Sequence, residues 1–199
     1  MKEIIRGVFT WSHFSEEKQI DFNGWCVPTK EGTILVDPPE APEATLKEIE
    51  KLGHVRAILL TNKDHIRRSD DFAGRFRAPI FLHQADAPMV SLRIGGVFKS
   101  GEELPGGLEA WRVADAKSPG ECAFLLRDAN ALILGDALIG KPSGELNLLP
   151  ASKFTDPAKA VEGIRALLKL PFDAVLVGDG TPIPKGGRKA IEEFLKRVK

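Results

Sequence analysis

The chain has 199 residues, of which 43% are hydrophobic and 28% are charged, a balance typical of a globular protein with one well-filled core. Its 28 basic and 28 acidic side chains cancel, which removes a broad electrostatic basis for binding nucleic acid or an anionic membrane. No apolar run reaches the roughly 18 residues of a membrane span, and the N-terminus lacks the pattern of a secretory signal. We therefore expect a single cytoplasmic domain over residues 1–199 that binds neither membrane nor nucleic acid.

Apolar runs of strand length recur along the chain and are separated by Gly, Pro and Asp. They predict strands at residues 4–9, 24–28, 33–37, 56–61, 79–83, 108–114, 122–127, 131–136 and 173–179. The runs AILL, ALIL and AVLV are apolar at every position, so these three strands should be covered on both faces.

Helical signals lie between these runs. Capping and breaking residues predict helices at about residues 42–53, at 155–171 and from about 185 to the end, with a shorter one after residue 67. Strands therefore come first, followed by helix–strand alternation, further strands and a helix–strand–helix unit. This order differs from a Rossmann domain and suits two sheets packed face to face with helices outside.

Three of the predicted strands are followed by polar residues that are candidates for an active site. One strand is followed by Asp64 and His65, and two later strands end in Asp136 and Asp179. Polar groups just beyond strand ends commonly build the sites of α/β folds. A single aspartate there is also a frequent turn former or helix cap, so the candidate rests on the three strand ends taken together.

The stretches ILVDPP, PIFLH, SPGE, LILGD and LVGDGTPI occur in this order within residues 22–184. Together they resemble the metallo-β-lactamase superfamily, whose members include metal-dependent hydrolases. The resemblance implies a mixed α/β (α+β) fold, a four-layer αβ/βα sandwich, with its site along one edge between the two sheets.

The residues at that family's metal positions depart from its pattern. Its His-x-His-x-Asp-His motif after a threonine is represented by residues 61–65, Thr-Asn-Lys-Asp-His, which is two residues shorter and lacks both early histidines. Lys117 stands where the resemblance implies a histidine before the Ser-Pro-Gly turn. Asp179 replaces the histidine of a later Gly-His-Gly turn, and Asp136 keeps the bridging aspartate. The pattern does not support a dinuclear site.

One interpretation is a mononuclear metal-dependent hydrolase of ester, thioester or phosphoester bonds. A single Zn, Mn or Fe ion would be held by the remaining ligands, which are Asp64, His65, Asp136 and Asp179. Lys117 and Asp64 would be the catalytic residues, with the Lys117 ammonium stabilising a developing oxyanion.

The other interpretation is a metal-free, non-catalytic binding or structural module that kept the fold. Two carboxylates about 5 Å apart repel by roughly 3 kcal/mol at an effective dielectric of 20, so a cation must offset them. Lys117 occupies the place of a lost ligand and can supply that cation, with Lys63 or Arg67 in reserve. In either case we expect a small-molecule substrate or ligand, and the sequence leaves the oligomeric state open.

Two further polar residues are assigned structural roles. His83 ends a predicted strand that this fold packs inside. Asp37, after the run TILV, is expected to be a turn carboxylate that closes a strand–loop junction near the edge of the site.

Overall fold

Two β-sheets and four α-helices make up residues 1–198, the part of the chain that the computed structural model describes. The strands are β1 (Lys2–Ile5), β2 (Val8–Ser15), β3 (Ile20–Thr29), β4 (Gly32–Val36), β5 (Val55–Leu59), β6 (Ile80–His83), β7 (Gly96–Phe98), β8 (Glu109–Arg112), β9 (Cys122–Leu126), β10 (Ala131–Leu134) and β11 (Ala174–Val177). The helices are α1 (Glu43–Lys51), α2 (Ser69–Phe76), α3 (Pro157–Leu167) and α4 (Gly187–Arg197). Lys199, to which the prediction of the last helix extended, lies outside the described residues.

The two sheets differ in strand direction. The first has the order β1-β2-β3-β4-β5-β6-β7, antiparallel from β1 to β4 and parallel from β4 to β7. The second has the order β11-β10-β9-β8, in which only β10 and β11 are parallel. Neighbouring parallel strands end at the same edge of a sheet. The loops after β4, β5 and β6, and those after β10 and β11, therefore leave from two common edges.

Helices cover the outer face of each sheet. Ile49 of α1 and Phe72 of α2 pack against the seven-stranded sheet. Ile164 of α3 and Phe194 of α4 pack against the four-stranded sheet. A third apolar cluster, which includes Phe124, fills the space between the sheets. The result is the four-layer αβ/βα sandwich predicted from the sequence.

The strands with continuous apolar runs are covered on both faces, as predicted. Every residue of β10 and β11 is buried, and in β5 only Arg56 is exposed. Alternate residues of β10 enter different cores, because side chains of a strand point to opposite faces. Ala131 and Ile133 pack between the sheets, whereas Leu132 and Leu134 pack under the helices. Full burial of one such leucine or isoleucine contributes about 1.5–3 kcal/mol.

The start of α3 follows the capping signal of the sequence. The Asp156 carboxylate accepts hydrogen bonds from the backbone N–H groups of Ala158 and Lys159, which are among the unpaired donors of the first turn of α3. Pro157 occupies the start of that helix, where no N–H is needed. No helix within residues 1–198 is long and apolar enough to cross a membrane.

The strands differ from the prediction in several places, and β2 and β3 extend over residues 10–15 and 20–23, which no predicted strand included. The run at residues 4–9 forms parts of β1 and β2, which pair antiparallel across a turn in which Gly7 has a φ of +75°. The edge strand β7 was not predicted, because it has three residues and begins with a glycine. A Cβ atom at Gly96 would lie 2.4 Å from the Phe81 ring, so close packing requires the glycine there.

Gly163 tests the packing of α3 against the segment after β8. A Cβ atom at this position would lie 2.2 Å from the backbone oxygen of Ala114. Gly163→Ala should therefore lower the free energy of unfolding by roughly 2 kcal/mol, although alanine is the better helix former. Gly74→Ala in α2 is the control, because no described atom outside that helix lies within 4 Å of its added carbon, and it should stabilise by up to about 1 kcal/mol. Thermal unfolding measures both. A Gly163→Ala protein that melts at or above the parent contradicts this packing.

Candidate functional site

Three of the strand ends singled out by the sequence meet at one edge of the sandwich. His65 lies in the loop after β5, and Asp136 and Asp179 each lie two residues after the end of a strand, β10 and β11 respectively. One nitrogen of His65 and one carboxylate oxygen from each aspartate lie within 4.8 Å of one another. Asp64, the fourth residue predicted as a metal ligand, is not part of this group.

The Lys117 ammonium lies between two carboxylates. Its Nζ atom is 2.7 Å from Asp136 Oδ2 and 2.9 Å from Asp64 Oδ2. The Nζ atom of Lys63 is 2.8 Å from the other oxygen of Asp64. Burial opposes the charge on Lys117, but Asp136 and Asp64 outweigh burial and raise the pKa of Lys117 to about 12. Lys117 is therefore a charged hydrogen-bond donor at neutral pH.

The His65 ring is held between two further carboxylate contacts. Its Nδ1 atom is 2.8 Å from Asp37 Oδ2, and its Nε2 atom is 3.4 Å from Asp136 Oδ1. Burial and the nearby Arg67 guanidinium oppose protonation, but Asp136 and Asp37 prevail and raise the pKa of His65 to about 10. His65 is thus an imidazolium at neutral pH, and both of its nitrogens carry protons.

Asp136 is ionised although it is buried. Burial alone would raise its pKa, but His65 and Lys117 outweigh burial and bring that pKa below the ordinary aspartate value. One carboxylate oxygen faces the imidazolium and the other faces the ammonium. Asp136 therefore joins the two cations at the centre of the site.

Asp37 closes the junction after β4 and also orients the histidine. Its side chain is fully buried, and its φ of +46° lies in the left-handed region. The carboxylate accepts hydrogen bonds from the backbone N–H of Thr61 at 2.8 Å and from its hydroxyl at 2.6 Å. The predicted turn role is found, and the contact with His65 adds a role that the sequence analysis missed.

Asp179 is neutralised by an arginine. The Nη2 atom of Arg67 is 2.5 Å from Asp179 Oδ1 and 3.0 Å from the carbonyl oxygen of Gly178. The Nη1 atom donates to the carbonyl oxygens of Asn23 at 2.7 Å and Asp37 at 3.1 Å. Burial raises the pKa of Asp179, and His65 and Arg67 act against that rise. Four acceptors fix the guanidinium in this position.

Asp86 is a site residue that the sequence analysis missed. Its buried carboxylate accepts hydrogen bonds from the backbone N–H of Lys63 at 2.8 Å, the hydroxyl of Ser118 at 2.5 Å and the backbone N–H of Gly120 at 2.7 Å. It ties the loop that carries Lys63 to the loop that carries Lys117. The sequence shows only an aspartate two residues before Pro88, a pattern common in turns.

Glu121 was also missed, although it belongs to the SPGE stretch. It is fully buried, and its Oε1 atom accepts a hydrogen bond from the backbone N–H of Ala137 at 3.2 Å. The Oε2 atom has no hydrogen-bond partner within residues 1–198. Burial and the negative charge of Asp136 raise the pKa of Glu121 well above its ordinary value. Glu121 is therefore a buried acid that holds its proton more tightly than an exposed glutamate, and it lies beneath the charged residues.

His83 plays a structural part away from these contacts. It is buried, its Nδ1 atom accepts a hydrogen bond from the backbone N–H of Ala85 at 3.2 Å, and its ring packs edge-on against Phe98. Burial lowers its pKa. These contacts agree with the structural role expected from the sequence.

A sequence model described as the metallo-beta-lactamase superfamily matches residues 1–198. The chain belongs to the metallo-β-lactamase superfamily. No curated protein matches the sequence significantly.

Several solved structures share the fold. The DIM-1 metallo-beta-lactamase has a TM-score of 0.81 at 13% identity, with 100% of this chain and 97% of that chain covered. A metallo-beta-lactamase from Pontibacter korlensis has a TM-score of 0.78 at 16% identity, with coverages of 100% and 98%. The protein TTHA1623, solved in a di-iron-bound form, has a TM-score of 0.70 at 24% identity, with coverages of 90% and 96%. At these identities the similarity shows the fold alone.

Cations of the protein already contact most of the carboxylates at this metallo-β-lactamase-fold site. Four carboxylates are each in contact with at least one cation; they are Asp37, Asp64, Asp136 and Asp179. The cations are likewise four, namely Lys63, Lys117, Arg67 and the imidazolium of His65. We call these eight residues the ion-pair cluster. A divalent ion would add two positive charges beside these four cations and would compete for oxygens that already accept charged hydrogen bonds. The residues as arranged therefore do not fit a resident divalent metal.

The imidazolium of His65 predicts how stability depends on pH. The folded pKa of about 10 exceeds the ordinary value of 6.5, so this stabilisation is complete below pH 6.5 and is lost as pH rises towards 10. The free energy of unfolding should fall by about 1 kcal/mol per pH unit within that window. Urea unfolding at pH 6.5, 7.5 and 8.5 measures the slope. His65→Gln should flatten it, whereas the exposed control His13→Gln should keep it.

The comparison of slopes measures the contribution of His65 together with its effect on Glu121, because the His65 charge opposes the rise in the pKa of Glu121. Equal slopes in the parent and in His65→Gln would show that His65 is neutral in the folded protein.

Proposed function

We propose that this chain is a metal-independent, non-hydrolytic member of the superfamily, a binding module that kept the fold. The observation that carries the proposal is the Lys117 ammonium, which lies 2.7 Å from Asp136 and 2.9 Å from Asp64. A positive side chain of the protein thus neutralises carboxylates that the sequence analysis assigned to a metal.

The other predicted ligands are engaged in the same way. The Arg67 guanidinium binds Asp179, and a charge-assisted hydrogen bond of this kind uses the oxygen lone pairs that a metal would need. A metal-binding histidine must offer a neutral ring nitrogen. Both nitrogens of the His65 imidazolium face carboxylates instead. The residues that the family resemblance implies as metal ligands are therefore present, but they form ion pairs with one another and with Lys117 and Arg67.

Three members of the ion-pair cluster are also poorly suited to act as general bases. Asp64 and Asp136 have lowered pKa values and are held by ammonium groups, and Lys117 is charged. The thiols of Cys26 and Cys122 are buried, and burial raises the pKa of each. Water activation by a metal or a base is the usual requirement for hydrolysis by this kind of site. The chemistry of these side chains thus supports binding rather than hydrolysis.

A mononuclear hydrolase is the second candidate function. It is favoured by the close approach of His65, Asp136 and Asp179, and by Asp37 on the far ring nitrogen of His65, an arrangement common behind metal-binding histidines. Binding of Zn, Mn or Fe there would require His65 to lose a proton and the cations on Asp136 and Asp179 to withdraw.

Thermal unfolding with and without chelator tests the proposal. A chelator should leave the melting temperature of the parent unchanged, because no metal contributes to its stability. Lys117→Met should lower the free energy of unfolding by roughly 2–4 kcal/mol, because it leaves the buried Asp136 carboxylate with less compensation. Lys18→Met is the control: Lys18 pairs with Glu17 on the surface, its side chain is 59% exposed, and its loss should change stability by under about 1 kcal/mol.

A bound metal that stabilises the protein would be the opposite result. Plasma mass spectrometry that finds close to one metal per chain, lost in Asp136→Ala, together with a chelator-induced drop in melting temperature, would overturn the proposal in favour of the mononuclear hydrolase.

A further inference from the structure

We propose that Lys63 and Lys117 form a binding site for the carboxylate group of a small molecule, and that the Asp64 carboxylate occupies this site when no such molecule is bound. This inference rests on the proposed metal-free binding function and names the chemical class of its ligand. The site lies at the solvent-facing side of the ion-pair cluster, where the three side chains are 23%, 24% and 32% exposed for Lys63, Lys117 and Asp64.

The geometry is that of a bound carboxylate. Oδ1 of Asp64 is 2.8 Å from the Lys63 ammonium, and Oδ2 is 2.9 Å from the Lys117 ammonium. Each oxygen thus has its own cation, as a two-oxygen ligand group would. Within residues 1–198 the Asp64 carboxylate has no other hydrogen-bond partner. It is held by the two lysines alone, unlike Asp37 and Asp86, which accept backbone N–H bonds.

Asp64 is also the easiest member of the cluster to displace. Ion pairs between partly exposed groups contribute little to stability, because water solvates the separated charges well. The Asp136 carboxylate, by contrast, is buried and would be costly to leave without its cations. A competing carboxylate from solution can therefore replace Asp64 without dismantling the centre of the site.

The Lys117 ammonium and the Lys63 backbone keep other partners when Asp64 leaves. Asp136 still binds the Lys117 ammonium. The backbone of Lys63 is anchored by the hydrogen bond from its N–H group to Asp86. Two ammonium groups then face a single carboxylate of the protein, which leaves one positive charge. A monoanion balances that charge, which favours a carboxylate over a phosphate dianion.

Asp64→Asn in the full chain tests this assignment, because it removes the charge of the internal competitor. Acetate is the probe, titrated at constant ionic strength against chloride and followed by backbone amide shifts in NMR spectra. Asp64→Asn should bind acetate about fivefold to tenfold more tightly than the parent. Adding Lys63→Met to this variant should abolish the gain. Asp128→Asn is the control, since Asp128 is an exposed aspartate in the β9–β10 turn at the other end of β10, and should bind as the parent does.

Three results would overturn the inference: equal acetate affinity in Asp64→Asn and the parent, an equal gain in Asp128→Asn, or a gain for inorganic phosphate without one for acetate. Plasma mass spectrometry on the parent, before any acetate is added, keeps the two claims apart. Stoichiometric metal there overturns the proposed function. A metal-free protein with no gain in acetate affinity overturns only the carboxylate site.

Discussion

The contact between the Lys117 ammonium and the buried Asp136 carboxylate is the interaction on which the rest of the site depends. Asp136 lies two residues after β10 and keeps its charge although it is only 4% exposed, because Lys117 and His65 both face it. A buried carboxylate without such partners would cost several kcal/mol or take up a proton. Lys117 in turn reaches Asp64, and His65 reaches Asp37. These contacts connect loops of both sheets across the edge of the sandwich.

The fold explains why so many charges meet at this edge. Parallel strands of each sheet end side by side, so the residues that follow them are brought together whatever their chemistry. In this chain five carboxylates result, and four of them contact cations of the protein. Asp86 holds the loop of Lys63 and the loop of Lys117 together, because it accepts three hydrogen bonds from them. The edge is thus organised by the protein's own charges, with Asp64 as its exposed member.

Much of this could be predicted from local sequence patterns. Continuous apolar runs identified β10 and β11, and Asp156 with Pro157 identified the start of α3, because these signals act over a few residues. The meeting of strand ends followed from the order of the elements. The pairing of Arg67 with Asp179 could not be predicted, because 112 residues separate them and no sequence pattern near either residue indicates its partner. The roles of Asp86 and Glu121 likewise depend on folded neighbours.

The central claim is that His65 is an imidazolium held by carboxylates and does not act as a metal ligand. Nitrogen NMR of the histidine rings, recorded at pH 7.5 before and after addition of zinc, tests it most directly. The account predicts that both nitrogens of His65 carry protons and that their chemical shifts stay unchanged with zinc. A neutral His65 ring, with an Nε2 shift that moves on adding zinc and moves back on adding chelator, would contradict it.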